Sequence, residues 1–552
     1  MPKKRTKSLL VQQVNCFHNY TAGFEATEID LVETAANFLK SGIARSVCFS
    51  DLKSVYLDKE AEVQVEWIQP QGRKWDSSWA IKFSEKLPSH VAEDLIFCLE
   101  LSFHEKRIEG DEAKQMPPHL RAALPPFVLE QDDVALPIYP WIKLYSDGIA
   151  TLSFQVDTTW DNLDECDFIQ DVVNLFQQYF DRIWVQAEIQ RLDAEQILPE
   201  AYEAETSLGG QPFAGRRSKR LLKDMRRKSR LVLEESLRKG GQSFDIGGES
   251  WTLHQIAGSD GQDDWESTMD ICRSLYVNAV ASLIATPHKS AGQNLRRIQL
   301  WQGRPSISLI RFAEQPATKS ELFESFGQSM SRILARAPSL PKPPPLPIDL
   351  RPFEDYSFHG NRSLLLWTWL RPPGSPDNAW KNDLTRAHLF ENQARAEHFE
   401  YHNLRIARAC STAASPSNDE HLVSAYKVLA SAESTLHHSS QAGEITDAIE
   451  YLLEAAGTSR LIAAGKEQAR WHLDERRYRA DKNRSRVDRW LTAVFGLVGT
   501  TGLANLVVQP FLSDTYPDLS DAVTGLCSFL LVFAVVGLLA VFIWVINKFS
   551  WN

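Results

Sequence analysis

Two long apolar runs close the chain, and no other feature constrains its folding as tightly. The first extends from Trp490 to about Leu512 and the second from about Ala522 to Ile546. Between Trp490 and Asn547 the only charged residues are Asp514, Asp518 and Asp521. Each run exceeds the ~20 residues needed to cross a hydrocarbon core of ~30 Å. A buried hairpin of a soluble protein rarely keeps two such runs free of charge, so the reading is a transmembrane pair, 490–512 and 522–547, joined by a loop at 513–521. Lys482, Arg484, Arg486 and Arg489 precede the first run and Lys548 follows the second, whereas the connector has three aspartates and no lysine or arginine. Basic flanks stay on the cytoplasmic side, which predicts cytoplasmic chain ends and an external acidic loop in a plasma-membrane protein. Trp490, Trp544 and Trp551 suit the inner interface and Tyr516 the outer one.

Polar residues inside the first run carry more information than its length. Thr501, Asn505 and Gln509 recur at four-residue spacing, which stacks them on one helical face. Such groups are costly in hydrocarbon and face partner helices or a water-filled path. Ala493, Gly496, Thr500 and Ala504 lie on another face, at a spacing that permits close helix packing. One face for packing and one polar face meet the needs of an oligomeric pore, and two helices per chain cannot enclose a pore alone. Thr501, Asn505 and Gln509 are therefore candidate pore-lining residues, and Asp514, Asp518 and Asp521 candidate cation-attracting groups outside. The alternative for the stripe is hydrogen bonding within a packed bundle.

The remainder is an ordinary soluble composition. Over 552 residues, 43% are apolar and 24% charged, which excludes global disorder. Net charge is −11 and unevenly spread: residues 1–215 hold 19 Lys+Arg against 35 Asp+Glu, and 216–240 hold 11 against 3. That distribution argues against a generally basic nucleic-acid-binding protein. Arg216, Arg217, Lys219, Arg220, Arg226, Arg227 and Lys228, interleaved with Leu221, Leu222, Met225 and Leu231, form an amphipathic basic block. It is a candidate contact for anionic lipid, a nucleotide or the acidic first third, against the plainer reading of a solvated or internally paired helix.

Leu136–Val156 alternates apolar and polar around Ser146-Asp147-Gly148, a hairpin signal, and Phe168–Leu192 reads as a helix after it. A second such unit is expected at Leu295–Phe312, turning at Gln302-Gly303-Arg304-Pro305, with a helix near Ser320–Arg336 and a strand at Ser363–Leu370. Seven prolines between Pro338 and Pro352 mark a stiff connector. Residues 376–489 read as a helical stalk region, with Asp383–Ala409 and His421–His438 separated by Ser415-Pro416-Ser417-Asn418, and one helix from about 443 to 508. The expected fold is thus an α+β or α/β cytoplasmic domain, in regions 1–215 and 241–375 flanking the basic segment, followed by the stalk and two C-terminal transmembrane helices.

Chemical motifs are sparse. No Gly-x-x-x-x-Gly-Lys-[Ser/Thr], Gly-x-Ser-x-Gly or His-Glu-x-x-His occurs, so no enzymatic activity is expected. The seven cysteines stand singly, with no Cys-x-x-Cys, and suit a reducing compartment. His398 and His402 sit one helical turn apart, but with no third ligand they read as a packing pair rather than a zinc site. The N-terminus is basic, yet its apolar stretch Leu9-Leu10-Val11 is too short for a cleavable export signal.

The order of elements resembles that of the CorA-type divalent-cation channels. The resemblance is architectural over the chain and is carried by residues only across about 484–552. Where that family has Gly-Met-Asn at the outer end of the first span, this chain has Gly502-Leu503-Ala504-Asn505. The resemblance implies a homopentamer gated by its cytoplasmic domains, with the Asn505 amide holding a hydrated cation and Gln509 or the loop aspartates as substitutes. No cofactor is expected, a transported or regulatory divalent cation such as Mg2+ aside. Two further functions fit the same layout: a ligand-gated membrane effector or receptor in stress or antiphage signalling, and a tail-anchored scaffold without a pore.

Overall fold

The computed structural model describes residues 8–24, 28–57, 62–68, 80–109, 116–192, 216–256, 269–287, 298–371, 383–416, 419–440, 442–518 and 520–549. These form two compact units, Met1–Ala469 and Arg470–Asn552.

The first unit is built on a 16-stranded sheet, and its axis is the strand Leu10–Phe24. This strand pairs antiparallel with Ile149–Asp164 on one side, from Val14 opposite Thr158 to Gly23 opposite Ile149. On its other side it meets Pro305–Phe312 and then Ile298–Gln302. Its alternate residues have different company. Val14, Cys16, Ala22 and Phe24 join the main apolar cluster with Phe154, Phe127, Tyr276 and Phe326. Asn15, Asn19 and Thr21, on the other face, are equally buried. They lie beneath the 32-residue helix Asp383–Ala414, which contributes a buried polar surface of its own. Residues 1–215 and 241–375 therefore share one sheet.

The hairpin at Leu136–Val156 is present as Val134–Tyr145 and Ile149–Asp164, with Gly148 at φ +86° in the turn. The helix Lys319–Ala335 and the strand Leu365–Trp369 also stand where periodicity places them. In this unit two expected elements are corrected, and one of the two expected fold classes is selected. Ile298–Gln302 and Pro305–Phe312 are not a hairpin; both pair with successive parts of Leu10–Phe24, and Gly303 lies against that strand's backbone. A Cβ at Gly303 would come within 2.1 Å of the Asn19 carbonyl oxygen, so only glycine permits this approach. Phe168–Leu192 is a π turn at Phe168–Val173, a 3-10 turn at Leu175–Gln177, a strand at Arg182–Val185 and a short helix at Ala187–Leu192. Ile183 and Val185 alternate with Arg182 and Trp184, and that period of two decides for a strand. The sheet is antiparallel among the described residues except where Pro305–Phe312 runs parallel to Leu365–Trp369, so the unit is α+β rather than α/β.

The proline-rich segment does not separate bodies. It runs across the first unit, with the Ser331 hydroxyl donating to the Pro344 carbonyl and Arg332 Nε to the Leu340 carbonyl. The helix expected from 443 to 508 breaks at Gly457, which adopts φ +82° and caps Gly443–Ala456 through its N–H to the Glu454 carbonyl. Thr458–Leu503 then forms the longest helix of the chain.

In the second unit that helix is followed by a π turn, Ala504–Val508, and a short helix, Gln509–Thr515. Pro510 supplies no N–H and its ring crowds the preceding turn, which accounts for the local widening. The helix Asp521–Phe549 completes the unit. The connector is thus shorter than 513–521, because helix persists to Thr515. Among the described residues two helices are long and apolar enough to cross a membrane. Trp551 lies outside the described residues.

Candidate functional site

The apolar hairpin joins its two strands of helix through small residues. Thr500, Ala504, Thr524, Ser528 and Val532 are buried between them. The hydroxyls of Thr500, Thr524 and Ser528 donate to the carbonyls of Gly496, Ser520 and Thr524 one turn back, so the seam satisfies its own polar groups. This gives part of the predicted packing face a partner inside the chain. Gly496 itself is open, and the Ala493 side chain lies outside the described residues.

The π turn splits the polar stripe. Thr501 and Asn505 are exposed, whereas Gln509 is turned to lie over Gly525 of the following helix, its amide 3.6 Å from where a Cβ there would stand. A π turn advances each residue less than the usual 100°, so Gln509 leaves the line of Thr501 and Asn505. The Asn505 side chain makes no hydrogen bond to any described residue. Around it the surface is apolar: Leu506 is 80% exposed, Phe495 71% and Phe511 70%. An aqueous surface of that composition is strongly unfavourable, and a bilayer or neighbouring copies relieve it. Asp514, Asp518 and Asp521 are exposed at the connector, and Asp521 sits at the start of its helix where the dipole favours an acid.

The basic block forms the helix Arg216–Arg238, held at its far end by buried Leu233 and Leu237. Arg220, Arg227 and Lys228 are exposed; the side chains of Arg216, Arg217, Lys219 and Arg226 lie outside the described residues. His398 and His402 lie within the helix Asp383–Ala414 and are buried, rings 4.7 Å apart. Burial lowers both, His398 to about 4, so they are neutral core histidines at physiological pH.

Sequence reasoning missed the densest polar site. On the buried face between sheet and helix Asp383–Ala414, Glu105, Arg121, Lys143 and Glu397 form a four-membered ionic cluster. Arg121 Nη2 reaches Glu397 at 2.5 Å and Glu105 at 3.0 Å, Lys143 Nζ bonds Glu105, and the Tyr145 hydroxyl donates to Glu105 at 3.1 Å. Burial opposes ionisation of Glu105, but Lys143, His119 and Arg121 hold it well below the usual carboxylate range. Beside it Gln393 Nε2 donates to Asn19 Oδ1 at 2.8 Å and its Oε1 accepts from Ser306 at 2.8 Å. Further along, Arg304 pairs with Glu400 at 2.5 Å and the Tyr401 hydroxyl donates to Asp147 at 3.0 Å. The cluster balances two cations against two carboxylates in a buried interface. That arrangement fixes position rather than performing chemistry.

Among the described residues no three His, Cys, Asp or Glu side chains converge to hold a metal ion. Compared with protein-family models, with curated proteins and with solved structures, the chain matches none.

Proposed function

We propose that the protein is an oligomeric membrane channel, CorA-like in its order of elements, in which hairpins from several copies surround an ion path. The observation that carries this reading is Asn505, an amide without a hydrogen bond to any described residue, exposed among the apolar side chains of the hairpin. An amide left without a partner in hydrocarbon costs several kcal/mol, and a ring of copies facing water removes that cost. Asn505 then lines the axis with Thr501 one turn away, while Gln509, over Gly525, braces the hairpin. Amide oxygens hold hydrated divalent cations through their water shells, since hard cations keep oxygen ligands and magnesium sheds water reluctantly. Asp514, Asp518 and Asp521, repeated by symmetry, raise the cation concentration at the outer mouth. The family likeness favours five copies, with both termini cytoplasmic in the plasma membrane.

The test is ion flux in liposomes with Asn505→Leu, with oligomeric state measured alongside. The reading expects the parent to conduct and the variant to keep its oligomer while losing flux. A variant that conducts like the parent removes Asn505 from the path; a parent that never conducts leaves the hairpin an anchor. A second reading, a ligand-responsive membrane effector or receptor on the same scaffold, is favoured by one specific feature, the cleft in the first unit considered next.

A further inference from the structure

A cavity of about 230 Å³ opens in the first unit, among elements that the ion path does not use. Two glycine turns shape it. Gly42, at φ +77°, ends the helix Leu31–Ser41 and directs the chain through Ile43 and Ala44 to Arg45. Gly247 and Gly248, at φ +63° and +77°, make the tight turn between Gln242–Ile246 and Glu249–Gln255, which returns Glu249 and Trp251 over the cavity. The start of the helix Ser89–Glu109 closes another side with His90, Glu93 and Asp94, and Trp141, stacked on Phe97 at 3.9 Å, forms an aromatic wall.

The charges here are distributed unequally. Glu249 is already engaged: Arg45 Nη1 meets it at 2.6 Å, the same guanidinium lies 4.1 Å over the Trp251 ring, and His90 approaches at 3.8 Å. Asp94 has no hydrogen bond or ion pair to any described residue. Gln186 Oε1, in the same lining, is buried with no hydrogen-bond partner. A half-buried carboxylate and a buried amide oxygen without a partner, beside an indole wall, call for a ligand that brings N–H donors and an apolar body. An anion would face Glu93, Asp94 and Glu249 against a single arginine that is already paired.

We propose that this cleft binds a small organic cation, a primary ammonium or a guanidinium on an apolar or aromatic body, with Asp94 as its counter-ion and Gln186 Oε1 as a second acceptor. The electrostatics of the cleft agree. Asp94 is pushed up to about 6, most of all by burial, with Arg45 lowering it and Glu249 and Glu93 raising it. A bound cation supplies the missing partner, returns Asp94 to its ionised form and releases a proton when binding occurs near pH 6. Affinity therefore falls as the pH drops through about 6. The inference is independent of whether the hairpin conducts.

The experiment uses the full chain in detergent and two probes, tyramine and agmatine, followed by calorimetry and by the fluorescence of Trp141 and Trp251. The controls are 4-ethylphenol, which keeps the ring without the ammonium, and adenosine monophosphate as an anion. The expected result is saturable binding of at least one amine, at least tenfold weaker for 4-ethylphenol and at least tenfold weaker in Asp94→Asn. Asp94→Asn is expected to melt above the parent at neutral pH, so its loss of binding is not loss of fold. The proposal is overturned if neither amine binds, if 4-ethylphenol binds as well as tyramine, if Asp94→Asn binds like the parent, or if the nucleotide binds in their place.

Discussion

Asp94→Asn offers a stability measurement whose sign and size both follow from the cleft. Asp94 is half-buried, makes no hydrogen bond or ion pair to a described residue, and has its ordinary value of 3.8 raised to about 6 in the folded protein, chiefly by desolvation. A carboxyl raised on folding contributes its stability in the protonated form. That contribution is complete below 3.8 and is lost as the pH rises through about 6. At pH 7.5 the ionised Asp94 therefore costs the fold ~3 kcal/mol relative to a neutral isostere, at about 1.4 kcal/mol for each tenfold change. Unfolding entropy of about 2.1 cal/mol/K per residue, applied to the unit Met1–Ala469, converts this to an increase of about 3 °C in Tm for Asp94→Asn. At pH 5 the parent is mostly protonated when folded, and roughly half the advantage remains. Thermal unfolding in detergent at the two pH values measures both numbers. If the variant melts at or below the parent at pH 7.5, or if its advantage does not shrink in acid, Asp94 is not a strained carboxylate and the argument for its role in the cleft fails.

Three other outcomes are expected. Glu397→Leu leaves Arg121 and Lys143 sharing one buried carboxylate, and it should cost ~3–5 kcal/mol in denaturant titration; a loss under 1 kcal/mol would show water reaching the cluster. His18, His104 and His398 are buried with values lowered to about 3, 4 and 4, so the unfolded chain takes up protons first. Stability should fall as the pH drops from about 6.5 toward 4, and a melting temperature flat over that range would contradict their burial. Thr515→Cys, at the exposed end of the helix Gln509–Thr515, should react with an impermeant reagent in intact cells if the acidic turn is external; protection there with labelling at a cysteine placed near the C-terminus would reverse the orientation.

Elements with one apolar face were legible from their period. The hairpin around Gly148 and the helix Lys319–Ala335 follow that rule, while Leu365–Trp369 was legible instead as a short, almost continuous apolar run buried on both faces. Leu10–Phe24 was not read as a strand, because Gln12, Gln13, Asn15, Asn19 and Thr21 interrupt its apolar residues and nothing local announces the helix that covers them. The ionic cluster was hidden for the same reason. Arg121 and Glu397 are 276 positions apart, and a charged residue in a strand or helix reads as a solvated one until its partner is known. The π turn did leave a signal in Pro510, which a strict four-residue spacing ignores. The cleft left almost none, since Arg45, Asp94, Gln186 and Glu249 come from four separated segments.

The polar interface also determines how the helix Asp383–Ala414 can move. Apolar faces tolerate small sliding, because contact area changes gradually, but directional bonds do not. Gln393 bonds Asn19 and Ser306, Glu397 bonds Arg121, Glu400 bonds Arg304 and Tyr401 bonds Asp147. A shift of one residue rotates the helix ~100° and advances it ~1.5 Å, which breaks all of these at once. Each break strands a buried donor or charge, so the helix has one register on the sheet and steep walls around it. Ser89–Glu109 belongs to the same locked assembly through Glu105, and about three turns away it presents Asp94 to the cleft. On the proposed reading, a cation at Asp94 would therefore meet a helix that the ionic cluster already fixes at its other end, so the cleft would be shaped before its ligand arrives.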